Sequence, residues 1–565
     1  MDTITRTLAS LREKLTGPGA PFELTEVEVD GQKLLAYRNA KATLPELINT
    51  ARVHGDKPFI VYRDETWTFA RLFAEADALA WAMREKLGVK PGDRVAIAMR
   101  NRPEWAVAFL AAALAGAVPA PVNSFGLHDE LLGAFATVRP RVLILDADRL
   151  KRLGEDWRSL GAEAVLCDAD PERGSGIHAW RDVTQPARPG PPPVRLGPHD
   201  PALLLFTSGA STKPKAVLTT QLAVCQSIMN IDYIAAVSAM SSPGVIEELM
   251  RRALAPTTLT VVPLFHVSGL HAQLLTALVN GRKLVFMHRW DPADAIELIV
   301  RHQVTQFNGA PAMVMRMLEH PTFDFKAIRK TLAGIGFGGA GLPQRLIGEV
   351  LEGLGPSMSG IGFGMTETSG VTAAVSGEAF RARPTSSGTI SPIMQVRIVA
   401  PDDRLLPEGE AGEIQVRGVC VMREYWGQPE ATAAAMQEGW LRTGDVGYLE
   451  HGYLFVVDRI KNVINRAGEK IAAAEVESCL LQFPGLAEAA VIAIPDPKHG
   501  EAVAAVVVPA EGETPTEAQV QAFVAERLAS YKVPSRIIVR REPLPKNPTG
   551  KLLKGELRRL FGEAN

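Results

Sequence analysis

A run of hydroxyls, one glycine and two lysines stands where an apolar stretch ends. Leu203, Leu204, Leu205 and Phe206 lead into Thr207-Ser208-Gly209-Ala210-Ser211-Thr212-Lys213-Pro214-Lys215. At such a strand end, backbone N–H groups and hydroxyls bond phosphate oxygens while ammonium groups offset their charge. The run is therefore a candidate polyphosphate cradle. It lacks the Gly-x-x-x-x-Gly-Lys spacing of a Walker loop, and taken alone it reads equally as a polar surface turn. Downstream stand Thr366-Glu367 after a glycine-rich stretch, Asp445 beside Gly444, and Lys551 behind Thr549-Gly550. Each has an ordinary alternative in isolation: a helix N-terminus for the Thr-Glu pair, turn chemistry for the aspartate, a solvated ammonium for the lysine.

Elements that could position these groups follow from periodicity. Residues 70–86 repeat apolar side chains at helical spacing, 94–99 read as a strand, 104–114 as a helix and 141–145 as a strand. Helices of about 10–15 residues between short apolar strands indicate βαβ units around a mainly parallel sheet, an α/β class. The proline-rich stretch 186–198 reads as a connector between two lobes of a large N-terminal domain, 1–458. After it the pattern changes to a small α+β domain, 459–565. Strands are expected at 460–464, 489–494, 503–508 and 537–539, and helices at 475–481 and 517–530. The apolar run 105–122 nears bilayer-spanning length, but Gly116, Pro119 and Pro121 mark it as a buried helix and a short strand, so no transmembrane segment is expected.

With 565 residues, the chain has room for about three to five compact units. Its 61 basic and 63 acidic side chains give a net charge of −2, without the basic excess of a nucleic-acid binder. Cys167, Cys225, Cys420 and Cys479 are widely spaced with no Cys-x-x-Cys pair, so neither a zinc site nor a disulfide framework is indicated and a reducing, cytoplasmic location is expected.

Further segments stand in order along the chain: Pro263-Leu264-Phe265-His266, Gly338-Gly339-Ala340, Gly362-Phe363-Gly364-Met365-Thr366-Glu367, Trp440-Leu441-Arg442-Thr443-Gly444-Asp445, Asp458-Arg459-Ile460-Lys461 and Pro548-Thr549-Gly550-Lys551. Together with the run from Thr207 to Lys215, and with 67–69 and 92–95 upstream, this set resembles the adenylate-forming superfamily of acyl-CoA synthetases, peptide-synthetase adenylation domains and firefly luciferase. It is most similar to the acyl-CoA synthetases. The sequence departs from the pattern at Ala210, Ser211, Thr212 and Ala216, where two glycines are lost, and at Ala473, where the family usually has proline.

The resemblance implies a carboxylate attacking the α-phosphate of ATP in line, with pyrophosphate leaving and an acyl-AMP mixed anhydride forming. Positioning and charge stabilisation drive such chemistry. By resemblance, Thr207, Ser208, Gly209, Lys215 and Thr366 hold phosphates, Phe363, Gly364 and Met365 help bind ATP or AMP, and Gly338, Gly339 and Ala340 approach the adenine. Asp445 accepts the ribose hydroxyls, Arg459 bonds ribose or phosphate, and Glu367 helps hold Mg²⁺. Lys551 stabilises the transition state. The small domain is mobile: a hinge at Lys461 then withdraws Lys551 and brings in Gly468, Glu469 and Lys470 along a passage for coenzyme A, whose thiolate displaces AMP. His266, Val267, Gly336 and Gly341 are expected at the acyl pocket.

No charged side chain offers itself to a second carboxylate or an amino group on the acid. Ile228, Met229, Ile231, Ile234 and Met240 form an apolar wall or a helical core, and 241–256 adds a segment that could shape the pocket. The expectation is an acid–coenzyme A ligase for a hydrophobic monocarboxylate, either medium-to-long aliphatic or aryl-alkanoic. Rival readings are a stand-alone acyl-AMP ligase or amide synthetase, a loading domain acting on a separate carrier, a luciferase-like oxygenase, and a nucleotide-binding homologue without catalysis.

Overall fold

In the computed structural model the described residues are 2–186, 189–207, 214–338, 342, 344–467, 469–547 and 551–562. The helix Phe69–Glu85 starts where Thr68 Oγ1 accepts from the Arg71 N–H at 3.1 Å. The helix Pro103–Leu114 has proline in its first turn, where the missing N–H costs nothing. Apolar all round, that helix is buried throughout, and the strand Val118–Pro121 follows it into the core.

Five parallel strands form one sheet in the order Val118–Pro121, Arg94–Ala98, Val142–Leu145, Glu163–Leu166, Ile177–Ala179. A larger sheet of 14 strands has a parallel run from Pro58–Tyr62 through Lys283–Phe286, Thr257–Thr260, Gln306–Gly309 and Gly334–Phe337 to Gly360–Met365. Beyond Gly360–Met365 every pairing in it is antiparallel, out to Met394–Val399. The expectation of a mainly parallel sheet therefore holds throughout the five-stranded sheet and for one half of the larger one. The antiparallel half is built by tight reversals. Between Trp440–Glu450 and Tyr453–Arg459 the turn residues His451 and Gly452 have φ of 52° and 81°, the paired positive values that suit a two-residue hairpin.

A three-stranded antiparallel ribbon, Pro201–Phe206, Ala216–Thr220 and Glu424–Tyr425, lies between the two halves of the chemistry described below. Near the C-terminus, a five-stranded sheet carries alternating residues to two cores. Val491, Val503 and Val507 face the helices Ala473–Leu480 and Glu517–Ala525, while Ile492, Ala504 and Val506 face Leu557 and Phe561 of the helix Lys554–Gly562. That last helix and the strand Glu469–Ala472 were not anticipated. The expected strand at 460–464 is a single 3₁₀ turn, Ile460–Asn462, before the strand Val463–Arg466, and the helix expected over 517–530 stops at Ala525.

Candidate active site

The cradle residues sit at the neck of a hairpin. Phe206 pairs with Ala216, the Thr207 N–H donates to the Lys215 carbonyl at 2.9 Å, and the Lys215 N–H donates to Thr207 Oγ1 at 3.2 Å. Ser208 and Gly209, with 210–213, lie outside the described residues. On its far edge Ala216–Thr220 pairs with Glu424–Tyr425, placing Tyr425 opposite Val217. The Lys215 ammonium stands 4.3 Å from the centre of the Tyr425 ring. From the other side the Tyr425 hydroxyl donates to Glu367 Oε1 at 2.8 Å. Burial and the neighbouring Glu367 carboxylate push the Tyr425 phenol far up, so it stays a donor at any working pH.

Glu367 is 8 % exposed and lies in the short turn Thr366–Thr368, which the Met365 N–H closes onto Thr368 Oγ1 at 3.1 Å. Thr366 is partly exposed. The strand into this turn shifts register between Phe363 and Gly364, and a β-carbon on Gly364 would run into the Gly370 carbonyl oxygen. Only glycine allows that approach.

Asp445 and Arg459 face one another across the hairpin strands Trp440–Glu450 and Tyr453–Arg459, with Arg459 Nε 3.2 Å from Asp445 Oδ1. Asp445 is 6 % exposed, and its N–H donates to Thr443 Oγ1 at 3.1 Å. Burial raises its pKa, Arg459 and Lys551 oppose the rise, and Glu367 adds to it. Glu367, Arg459 and the distant Lys551 therefore all act on the one buried carboxylate of Asp445.

Lys551 enters from the C-terminal module. Its N–H donates to Asn547 Oδ1 at 2.9 Å, and the Asn547 N–H donates to the Lys551 carbonyl at 2.8 Å, so two hydrogen bonds tie Lys551 to Asn547. Lys546–Glu488 and Lys554–Glu477 ion pairs, each 2.7 Å, flank the loop. Burial pushes the Lys551 ammonium down to about 8, with Arg459 and Lys461 adding to the fall and Asp445 opposing it. Pro548, Thr549 and Gly550 lie outside the described residues. Lys461 sits in the turn Ile460–Asn462, its pKa lowered by burial and by Arg459. Asp458 secures that turn, accepting from Asn462 Nδ2 at 3.2 Å and from the Ala474 N–H at 2.9 Å. Glu469 and Lys470 are exposed on the strand Glu469–Ala472, and Gly468 lies outside the described residues.

On the acyl side, a β-carbon on Gly336 would strike Asn308 Oδ1, so Gly336 lies directly against that side chain. Gly338 ends the described part of its turn; Gly339, Ala340 and Gly341 lie outside it. A β-carbon on Gly370 would sit 3.5 Å from Ser227 Oγ and 3.9 Å from Val267 Cγ2, which joins Val267 to the segment after Glu367. The His266 ring lies tilted beside that of Phe265, centroids 4.5 Å apart, and burial pushes its imidazole down to about 4, so it is neutral. The wall expected on the helix Gln221–Met240 divides. Ile228 and Ile231 pack into one core, Met229 and Ile234 into another, and Met240 is 40 % exposed. These are helix-packing residues, because they project from different sides of the helix. The segment 241–256 contains the helix Pro243–Arg252, which buries Val245 and leaves Met250 exposed.

Several contributors gave no sequence signal. Tyr425 lies in a two-residue strand with no periodicity. His271 lies in the π-helical stretch Leu270–Leu275, where its Nδ1 donates to the Ser369 carbonyl at 2.8 Å. Asn230 donates to the Val371 carbonyl at 2.9 Å while accepting from the Tyr37 hydroxyl at 2.9 Å. These bonds also show that Gln221–Met240, long and apolar enough to cross a membrane, is here an interior helix with bonded polar side chains. Two cavities lie elsewhere, at strand ends around Arg100 and His288. The larger, about 580 Å³, is lined by Tyr62, Arg63, Arg102 and Arg149, and neither cavity touches Glu367, Asp445 or Lys551.

The AMP-binding enzyme profile matches residues 47–426, and the AMP-binding enzyme C-terminal domain profile matches 475–551. A feruloyl-CoA synthase of Amycolatopsis is 34 % identical over 502 residues, 88 % of this chain and 94 % of that protein. The long-chain-fatty-acid–CoA ligase FadD13 of Mycobacterium tuberculosis is 32 % identical over 514 residues, again 88 % and 94 %. Among solved structures, the amide bond synthetase McbA of Marinactinospora thermotolerans superposes with a TM-score of 0.78 at 26 % identity, covering 92 % of this chain and all of the other (100 %).

Proposed function

The chain belongs to the AMP-binding enzyme family, and from that premise we propose that it is an AMP-forming acid–thiol ligase joining a hydrophobic monocarboxylate to coenzyme A. The observation that carries the reading is the convergence of Lys551, Arg459 and Glu367 on Asp445, each acting on that buried carboxylate, since a mobile cation beside a nucleotide-binding carboxylate is what adenylation requires.

In this reading ATP lies with its phosphates toward Thr207 and Lys215 and its ribose on Asp445. The acid is already ionised at neutral pH, so it needs no general base, which leaves the neutral His266 a wall residue. As the acid attacks the α-phosphate, Lys551 stabilises the charge growing on the transferring oxygens. Among the described residues no group of three or more His, Cys, Asp or Glu could form a metal cage. Glu367 offers one carboxylate, whose Oε2 accepts no hydrogen bond from described residues, a donor set that fits a hard cation carried on the nucleotide. Mg²⁺ held there would neutralise phosphate charge. Rotation about Lys461 would then remove Lys551 and present the Glu469–Lys470 face to coenzyme A. Four buried free cysteines suit a cytoplasmic enzyme.

The substrate is drawn from two arms, aryl-alkenoic and aliphatic acids, in line with the feruloyl and fatty-acid names of the relatives. Structural likeness to the amide synthetase supports a second acceptor class, an amine. Incubation with ATP, Mg²⁺ and a mixed acid panel, with coenzyme A, an amine mixture or neither, followed by mass spectrometry, separates these. A thioester formed only with coenzyme A supports the ligase. Amide product, or a preference for acetate or amino acids, overturns it.

A further inference from the structure

Tyr425 touches both sides of the phosphate site without belonging to either. Its hydroxyl bonds Glu367 Oε1 at 2.8 Å and its ring lies 4.3 Å under the Lys215 ammonium. Its own position is over-determined. The Tyr425 N–H donates to Thr432 Oγ1 at 3.0 Å, the Trp426 N–H to the Ala216 carbonyl at 2.8 Å, and the Arg423 N–H to the Leu218 carbonyl at 2.9 Å. The same segment grips the Glu367 backbone, with the Met422 N–H donating to its carbonyl at 2.7 Å. At 7 % exposure the ring has no room to swing.

We propose that Tyr425 is a positioning residue that sets the distance and orientation between the cation-binding carboxylate of Glu367 and the phosphate-loop ammonium of Lys215. The phenol occupies Oε1, which leaves Oε2 as the free ligand oxygen. The ring face holds the ammonium at the hairpin neck by cation–π attraction, so that one rigid side chain gauges both partners of a triphosphate–metal complex. A ligand carboxylate left without its outer partner rotates, and losses of about 10–100-fold in metal affinity are typical of such removals.

This inference rests on the proposed use of a metal–nucleotide complex. The test is therefore Mn²⁺ titration of the full-length protein with ATP, read by electron paramagnetic resonance, for wild type, Tyr425→Phe and Tyr425→Leu. Each variant is first checked for an unchanged melting profile. For wild type the expected result is ATP-dependent Mn²⁺ binding; its absence removes both the nucleotide reading and this one. Tyr425→Phe keeps the ring and loses the hydroxyl, so Mn²⁺ affinity falls about tenfold or more while metal-free ATP binding holds. Tyr425→Leu loses the ring as well and weakens both. Thioester formation from supplied acyl-AMP, which needs no phosphate cradle, is unchanged in both variants. With wild type binding Mn²⁺ normally, equal Mn²⁺ affinity in Tyr425→Phe overturns the positioning role. So does an equal loss of every activity in both variants, which would mark Tyr425 as packing alone.

Discussion

In the proposed reading Lys551 must be charged for catalysis, yet it sits where charge is costly, and the conflict yields a quantitative expectation. Burial, Arg459 and Lys461 lower its ammonium from 10.5 to about 8. At about 1.4 kcal/mol for each tenfold change, that depression is about 3 kcal/mol of preference for the neutral amine. The sign follows directly. Below pH 8 the lysine is protonated whether docked or free, so docking without nucleotide bears the full penalty, which fades between pH 8 and 10.5. Catalysis runs the opposite way, because only the ammonium stabilises the transition state. The kcat/KM for ATP in pyrophosphate release, which reports the free enzyme, should fall about tenfold between pH 7 and pH 9. Bound triphosphate supplies the counter-charge that the site lacks, so kcat falls at higher pH than kcat/KM, and ATP binding near pH 8.5 takes up protons. Calorimetry in buffers of different ionisation heat measures that uptake. Lys551→Arg, slower but permanently charged, should lose the alkaline limb. A flat wild-type profile from pH 7 to 9.5, or the same alkaline fall in Lys551→Arg, would refute the assignment.

Asp445→Asn removes the charge that pairs with Arg459 and one of the two acceptor oxygens that the proposed reading gives to the nucleotide hydroxyls; ATP affinity measured by calorimetry should weaken about 10–100-fold, as expected for lost charge-assisted hydrogen bonds. Lys461→Pro stiffens the turn Ile460–Asn462, so acyl-AMP formation should persist in single-turnover assays while thioester formation from supplied acyl-AMP falls; equal loss of both would remove the hinge. Leu110→Ala, at a fully buried position of the helix Pro103–Leu114, should cost about 2–5 kcal/mol in the unfolding of the large domain by denaturant, with KM for ATP unchanged in the folded fraction.

Much of the scaffold was legible because local rules govern it. The helix Phe69–Glu85 announces itself by apolar spacing and a threonine cap, and Leu486–Asp496 and Gly500–Pro509 by β-branched content. The antiparallel half of the large sheet was not legible, since reversals such as His451-Gly452 depend on backbone angles that their residue types only permit. Wall and helical core could not be told apart on Gln221–Met240 for a related reason. Apolar side chains on every face of a helix leave open which face meets a pocket, and packing assigned Ile228 and Met229 to different cores.

By itself the order of residues determined which chemical groups exist and in what sequence they come: an ammonium at 551, carboxylates at 367 and 445, hydroxyls and two lysines from 207 to 215. Side-chain chemistry needs no fold to be recognised. Only the tertiary structure decided which of them meet. Asp445 faces Arg459 because strand register puts them opposite, Tyr425 reaches Glu367 across 58 residues of chain, and Lys551 meets the field of Asp445 from the C-terminal module. Register and domain docking are settled by the sum of many burials and hydrogen bonds, and no local stretch of sequence contains that sum.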